Sequence, residues 1–193
     1  QAGQVLSLPV WIPGSYLVRE FAKNLQNLKA KQGGKSIGIH QVNKSQWQVD
    51  SKPDQALQLS YEVYAFDNSV RTAWLDMQRG FFNGTSLCVR VHGQEDTPHA
   101  LILAPIKGSH WTVATGLSPL KVNKQGFGEY LAKNYDELVD CPFEMGNFWR
   151  GQFKAHGVPH ELVVAGALLM MVAVEIFNRK SIYGKAVVAT FND

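Results

Sequence analysis

Cysteine is nearly missing from this chain, and with it go several function classes. Only Cys88 and Cys141 occur in 193 residues, far apart and in no Cys-x-x-Cys pair. That argues against a disulfide framework and a thiolate zinc site, and each thiol reads as a small buried hydrophobe. Charge is sparse as well, at 18% of residues against the usual quarter. The net charge of +3 comes without any block of lysine or arginine. The densest basic stretch, "KNLQNLKAKQGGK" at 23–35, is broken by Leu25, Leu28 and a glycine pair. It reads as a strand and hairpin with solvated lysines, and a nucleic-acid footprint would need a clustered basic face. Long apolar runs are absent: the longest, "AGALLMMVAVEIF" at 165–177, falls short of the ~18–20 residues that span a bilayer. The chain opens on the strand-like "QAGQVLSLPVW", so no signal peptide is expected. The sequon Asn83-Gly84-Thr85 matters only to a secreted protein. A cytoplasmic location is expected, with neither nucleic acid nor membrane as partner.

Complete catalytic signatures are missing too. A zincin helix needs His-Glu-x-x-His, so that two imidazoles and a glutamate face one metal. In "HGVPHELVVAG" (156–166), His160 and Glu161 form the first half, but Val164 stands where the second ligand belongs. His156 lies four residues before His160, a spacing that works only in a helix. Gly157 and Pro159 oppose a helix there. The stretch after Pro159 reads as a β-branched strand, so no metal site is expected. Ser15 follows Gly14, yet no Gly-x-Ser-x-Gly elbow surrounds it. Cys88 sits inside a strand-like run, which gives a Cys/His nucleophile little support.

What the chain does have is period-two alternation. Hydrophobic residues make up 45%, enough for a core. "VLSLPVW", "SIGIHQV", "QWQVD", "ALQLSYEVYAF", "SLCVRV", "HALILAP", "HWTVAT" and "HELVVAG" all read as strands. In "ALQLSYEVYAF" one face carries Leu57, Leu59, Tyr61, Val63 and Ala65, as in a half-buried antiparallel strand. Turn signals such as "KQGGK", "SKPDQ", "FDNS", "FNGTS" and "KGSH" separate the runs. One helix is expected at 132–141, with Asn134 as N-cap and Asp136 and Glu137 in its first turn. The fold class is therefore mainly β: an antiparallel β-sandwich with one or two short helices. Residues 1–166 read as one domain. Residues 167–193 change character and read as a truncated or divergent end, its "ALLMMVAVEIFNRK" a buried helix or core strand and its "IYGKAVVATF" a strand.

Four long strings are more specific than any pattern: "LPVWIPGSYLVREFAKN" (8–24), "YEVYAFDNSVRTAWLD" (61–76), "RGFFNGTSLCVRV" (79–91) and "NYDELVDCPFEMGNF" (134–148). They resemble the N-terminal region of the glycyl aminopeptidase family, the PDZ-containing metallopeptidases of family sixty-one, across roughly residues 4–166. The resemblance implies a β-domain followed by a zinc-binding domain with His-Glu-x-x-His and then a PDZ domain. No zinc ligand carries over, because these 193 residues contain no such motif. Zinc is thus expected in the absent catalytic domain and no cofactor in this chain. On this reading "HGVPHELVVAG" is the join to the protease domain. The family places a strand or two before "VLSLPVW", so a sheet edge is expected to lie open to a second copy.

The resemblance also suggests where function lies. The β-domain of such enzymes presents loops to the catalytic domain, and a peptide's amino terminus, being a cation, calls for carboxylate or amide oxygens. The span "LDMQRGFFNG" offers Asp76 and Arg79 to orient substrate, Phe81 and Phe82 as an apolar wall, and Asn83. The rival reading pairs Asp76 with Arg79, makes Asn83-Gly84 a hairpin turn and puts one phenylalanine in the core. Trp11, Tyr16 and Arg19 are interface candidates, with Arg19-Glu20 a pair there, while packing of Trp11, Tyr16 and Phe21 is the simpler alternative. Glu144 is a further interface candidate beside its simpler role in a linker. The expected function is a non-catalytic scaffold and substrate-cleft wall, with the protease domain and peptide substrate as partners. The alternatives are a stand-alone β-sandwich module that binds peptide or protein and a small hydrolase with an unrecognised site. Against the last stands the missing nucleophile–base pattern.

Overall fold

The computed structural model describes residues 3–12 and 16–164. Two compact units divide the chain, Gln1–Gly146 and Asn147–Asp193. In chain order the first unit contains β1 (Gln4–Ser7), β2 (Leu25–Gln32), β3 (Lys35–Ile37), β4 (Ile39–Asn43), β5 (Gln46–Val49) and β6 (Leu57–Val63). These are followed by β7 (Ala73–Leu75), β8 (Arg79–Phe82), α1 (Gly84–Leu87), β9 (Arg90–Val91), β10 (His99–Leu103) and β11 (Thr112–Thr115). β12 (Ser118–Val122), β13 (Gly128–Ala132), α2 (Tyr135–Asp140) and β14 (Phe143–Gly146) complete it. The second unit contains a hairpin of β15 (Trp149–Ala155) and β16 (Val158–Val164). The fold class is the expected one, mainly antiparallel β with two short helices.

Four sheets of the first unit enclose two cores. β4-β5-β1-β9 and β3-β2-β6 share one of them. There Leu6, Trp47 and Val49 of the first sheet meet Ala30, Leu25, Leu57 and Leu59 of the second. β11-β14-β8-β7 and β10-β13-β12 share the other, where Phe82, Val113, Phe143 and Met145 pack with Tyr130, Ala132, Leu101 and Leu103. The helices contribute Leu87, Tyr135 and Leu138 to that core. Alternate residues of β6 and β8 turn towards these cores, as strands covered on one face require. Burying one such aromatic or aliphatic side chain is worth about 1.5–3 kcal/mol.

Local chemistry sets the connections. Gly33 and Gly34 both have positive φ, at 56° and 77°, and make the two-residue turn between β2 and β3 that matches strand twist. Asn134 caps α2 as expected, its side-chain oxygen accepting the Glu137 backbone N–H at 2.9 Å. "SLCVRV" departs from expectation: Ser86 and Leu87 are helical, and only Arg90–Val91 is strand. A Cβ on Gly84 would lie 2.8 Å from the Leu138 carbonyl oxygen and from the Val139 Cα. A bare backbone at Gly84 is what lets α1 sit directly on α2. Cys88 and Cys141 are free thiols packed at the margin of this core. Burial pushes the Cys88 thiol up to about 11, as expected of an inert structural cysteine. Pro13, Gly14 and the segment 167–193 lie outside the described residues.

Candidate functional site

The span Trp74–Asn83 runs through β7, a tight turn and β8 to the start of α1. Asp76 organises the turn. Its Oδ1 accepts the backbone N–H groups of Gln78 at 2.7 Å and Arg79 at 2.8 Å. Its Oδ2 accepts the Trp74 indole N–H at 2.9 Å. The amides of Arg79 and then Gln78, with the Trp74 indole after them, hold the Asp76 carboxyl below its ordinary value of 3.8. A carboxyl with a depressed folded-state value adds stability that is present above its unfolded value and lost as pH falls through the folded one. Asp76→Asn keeps one acceptor oxygen for the two backbone amides, gives up the second one that the Trp74 indole uses, and removes the charge. The urea midpoint of Asp76→Asn is therefore expected below that of the parent at pH 7, with the gap closing below pH 3.8. A gap that stays constant down to strong acid would show that the charge contributes nothing.

Arg79 does not pair with the Asp76 side chain. Its Nε and Nη2 donate to Oε1 and Oε2 of Glu144 at 3.0 and 3.1 Å, a two-pronged bond across 65 positions of sequence. Its Nη1 donates to Asn68 Oδ1 at 3.3 Å. The two side chains are 31% and 16% exposed, so the pair is sheltered more than a surface bridge. Burial pushes the Glu144 carboxyl up, and the Arg79 hydrogen bonds and charge oppose it. Glu144, read as linker or interface, is thus a strand residue of β14 locked to β8.

Alternation divides the rest of the span. Phe82 is 7% exposed and stacks on Phe143 at 4.9 Å in the core, so of the two phenylalanines only Phe81 lies on the outer face. Register places Trp74 opposite Phe81 and Phe81 opposite Glu144. Trp74 also stacks on the exposed Phe66, 4.4 Å between centroids, and Tyr64 tilts against Phe66 at 6.5 Å. Asn83 is a helix cap and not a hairpin turn: its Oδ1 accepts from the Thr85 N–H at 3.1 Å and the Thr85 hydroxyl at 2.6 Å. The outer face thus carries an aromatic shelf of Phe66, Trp74 and Phe81 beside the Arg79–Glu144 pair. Trp74, Phe66, Tyr64 and Asn68 were not among the candidates. Alternation in "YEVYAF" and "TAWLD" was the signal that places the aromatics outside.

The remaining candidates lie elsewhere. Trp11 and Tyr16 are 57% and 103% exposed, whereas Phe21 alone of that trio is core at 3%. Glu20 bonds Lys44 at 3.0 Å. In the second unit His156 occupies the hairpin turn with φ 48°. His160 stacks on Phe153 at 5.1 Å, while Glu161 bonds Arg150 at 2.8 Å. Successive residues of β16 point to opposite faces, so His160 and Glu161 cannot share a ligand there. These three side chains do not fit a zinc ion. Among the described residues no group of three or more His, Cys, Asp or Glu is placed to hold a metal, and no helix is long and apolar enough to cross a membrane.

Fold and face define a β module whose polar candidates are held in a turn, a cap and an ion pair. The chain belongs to the peptidase M61 N-terminal domain family, which it matches over residues 1–147. Among solved structures it is similar to an aminopeptidase N family protein from Idiomarina loihiensis, at 39% identity and a TM-score of 0.82. The match covers 93% of this chain and 31% of that one. No curated protein matches.

Proposed function

We propose that this chain is the non-catalytic β-domain of a zinc aminopeptidase, a scaffold that walls the substrate cleft of a protease domain carried elsewhere. The observation that carries the reading is the outer face of β8 and β14. There Phe81 and Trp74 stand beside a guanidinium and carboxylate already fixed to each other. A wall must present shape and polarity without rearranging, and a locked pair on a rigid sheet does so. Family membership and the threefold longer structural neighbour support a partner domain. Zinc, and the water attack it enables on an amino-terminal glycine or alanine, belongs to that partner.

The test uses the purified 193-residue chain, assayed for bound zinc, for turnover of glycyl and alanyl substrates, and for binding of the same peptides. The expected result is no stoichiometric zinc, no turnover and no binding tighter than about millimolar, since half a cleft leaves most of a peptide in water. Stoichiometric zinc with turnover overturns the proposal. Micromolar peptide binding without turnover instead favours a stand-alone binding module built on the exposed Tyr64 and Phe66.

A further inference from the structure

β6 is the outer strand of its sheet, with β2 as its only strand partner among the described residues. Natural sheets blunt such edges with short strands, lysine, proline or bulges, and the other long edges here do so. β12 contains Pro119 and Lys121 and a register shift. β4 is bulged against β5. β10 is five residues long, with Pro98 before it and Pro105 two residues beyond. β6 runs for seven residues, "LQLSYEV", with neither proline nor lysine. The irregularity in its pairing is carried by β2, where Asn27 and Leu28 stand against the single residue Tyr61.

The strand is also complementary to itself. Turned antiparallel about Ser60, it sets Leu57 opposite Val63, Leu59 opposite Tyr61 and Gln58 opposite Glu62. Each pair shares a face, because residues an even number apart point the same way. The half-buried Leu57, Leu59, Tyr61 and Val63 meet on the core side, and the exposed Gln58, Ser60 and Glu62 on the solvent side. No like charges oppose each other, and the Gln58 amide faces a carboxylate.

We propose that a second copy of this chain pairs with β6, dyad at Ser60, joining the two three-stranded sheets into one across a two-fold axis. This goes beyond the cleft-wall reading and uses a different sheet from the aromatic face.

The experiment is sedimentation equilibrium of the intact chain over roughly two decades of concentration. A reversible monomer–dimer equilibrium is expected. Gln58→Lys sets a lysine opposite Glu62 twice across the dyad and should tighten dimerisation about five- to tenfold, while Gln58→Glu should weaken it by a similar factor. Gln58 is exposed, and circular dichroism checks that both variants stay folded. A chain that is monomeric throughout overturns the proposal. So does a dimer whose affinity ignores the sign of charge at position 58.

Discussion

Phe143→Ala is expected to remove about 3–5 kcal/mol of unfolding free energy. Phe143 is wholly buried, with 0% exposure. Its ring stacks on Phe82 at 4.9 Å, nearly parallel, and meets Tyr130 edge-on at 5.2 Å. These partners come from two sheets: Phe82 lies opposite Phe143 in the β14–β8 register, and Tyr130 sits on β13. Neither strand can close the gap without breaking its own ladder, so most of the ring's volume stays as a cavity. That rigidity places the expected cost near the upper part of the range for such truncations. For a domain stabilised by about 5–15 kcal/mol, the loss brings unfolding close to ambient conditions. Urea denaturation gives the number directly. Ile102→Ala is the control, since Ile102 is 75% exposed and a surface truncation shifts stability by about 0.5 kcal/mol or less. If both variants lost the same small amount, the second core would not be organised around Phe143.

The same ring shows where sequence reading stops. Alternation announced β6 and β10, the glycine pair announced the β2–β3 turn, and Asn134 announced α2. Those signals are local, written within a few residues by backbone sterics and capping. "RGFFNG" shows two adjacent phenylalanines and says only that they point apart. Phe82 faces inward because β14 brings Phe143 beside it from 61 positions away, and that pairing is long-range information. The helical Ser86 and Leu87 depart from the strand pattern for a related reason. "SLCVRV" has good strand composition, but Asn83 caps a turn there, and the bare Gly84 lets it rest on α2. Tertiary contact outweighs a weak β preference.

The candidate site divides in the same way. Its polar members were visible as Asp76, Arg79 and Glu144, but not their allegiance. A charged pair three residues apart on a turn invites pairing, and the turn takes a different form. Asp76 is consumed by backbone N–H groups, which need a carboxylate at the head of a tight turn. The Arg79 guanidinium is then free to cross to β14, where Glu144 stands on the same face. What the resemblance suggested about loops facing a partner domain thus becomes a statement about one sheet's outer surface. That surface is fixed by bonds within the domain itself.

Glu144→Ala tests that fixity and is expected to cost about 2 kcal/mol. Breaking a fully buried pair costs about 3–5 kcal/mol, an exposed one about 0–1, and this pair lies between. Its Arg79 side chain is 31% exposed and keeps Asn68 Oδ1 as one acceptor. Arg79→Ala behaves differently with pH. Burial alone already raises the Glu144 carboxyl, and Arg79 is what lowers it, so its loss raises the carboxyl further. A raised folded-state value means stability that is present below the unfolded value of 4.5 and lost as pH rises through the folded one. The Arg79→Ala variant should therefore recover part of its deficit as pH falls from 7 towards 4.5, whereas Glu144→Ala, which has no carboxyl to protonate, should not. The double variant should be milder than the two losses added, by about 1–2 kcal/mol, because each single change strands a partner that the double change removes. Strict additivity with no pH dependence would mean the two groups merely lie near each other, and the outer face of β8 and β14 would lose its claim to be a preset wall.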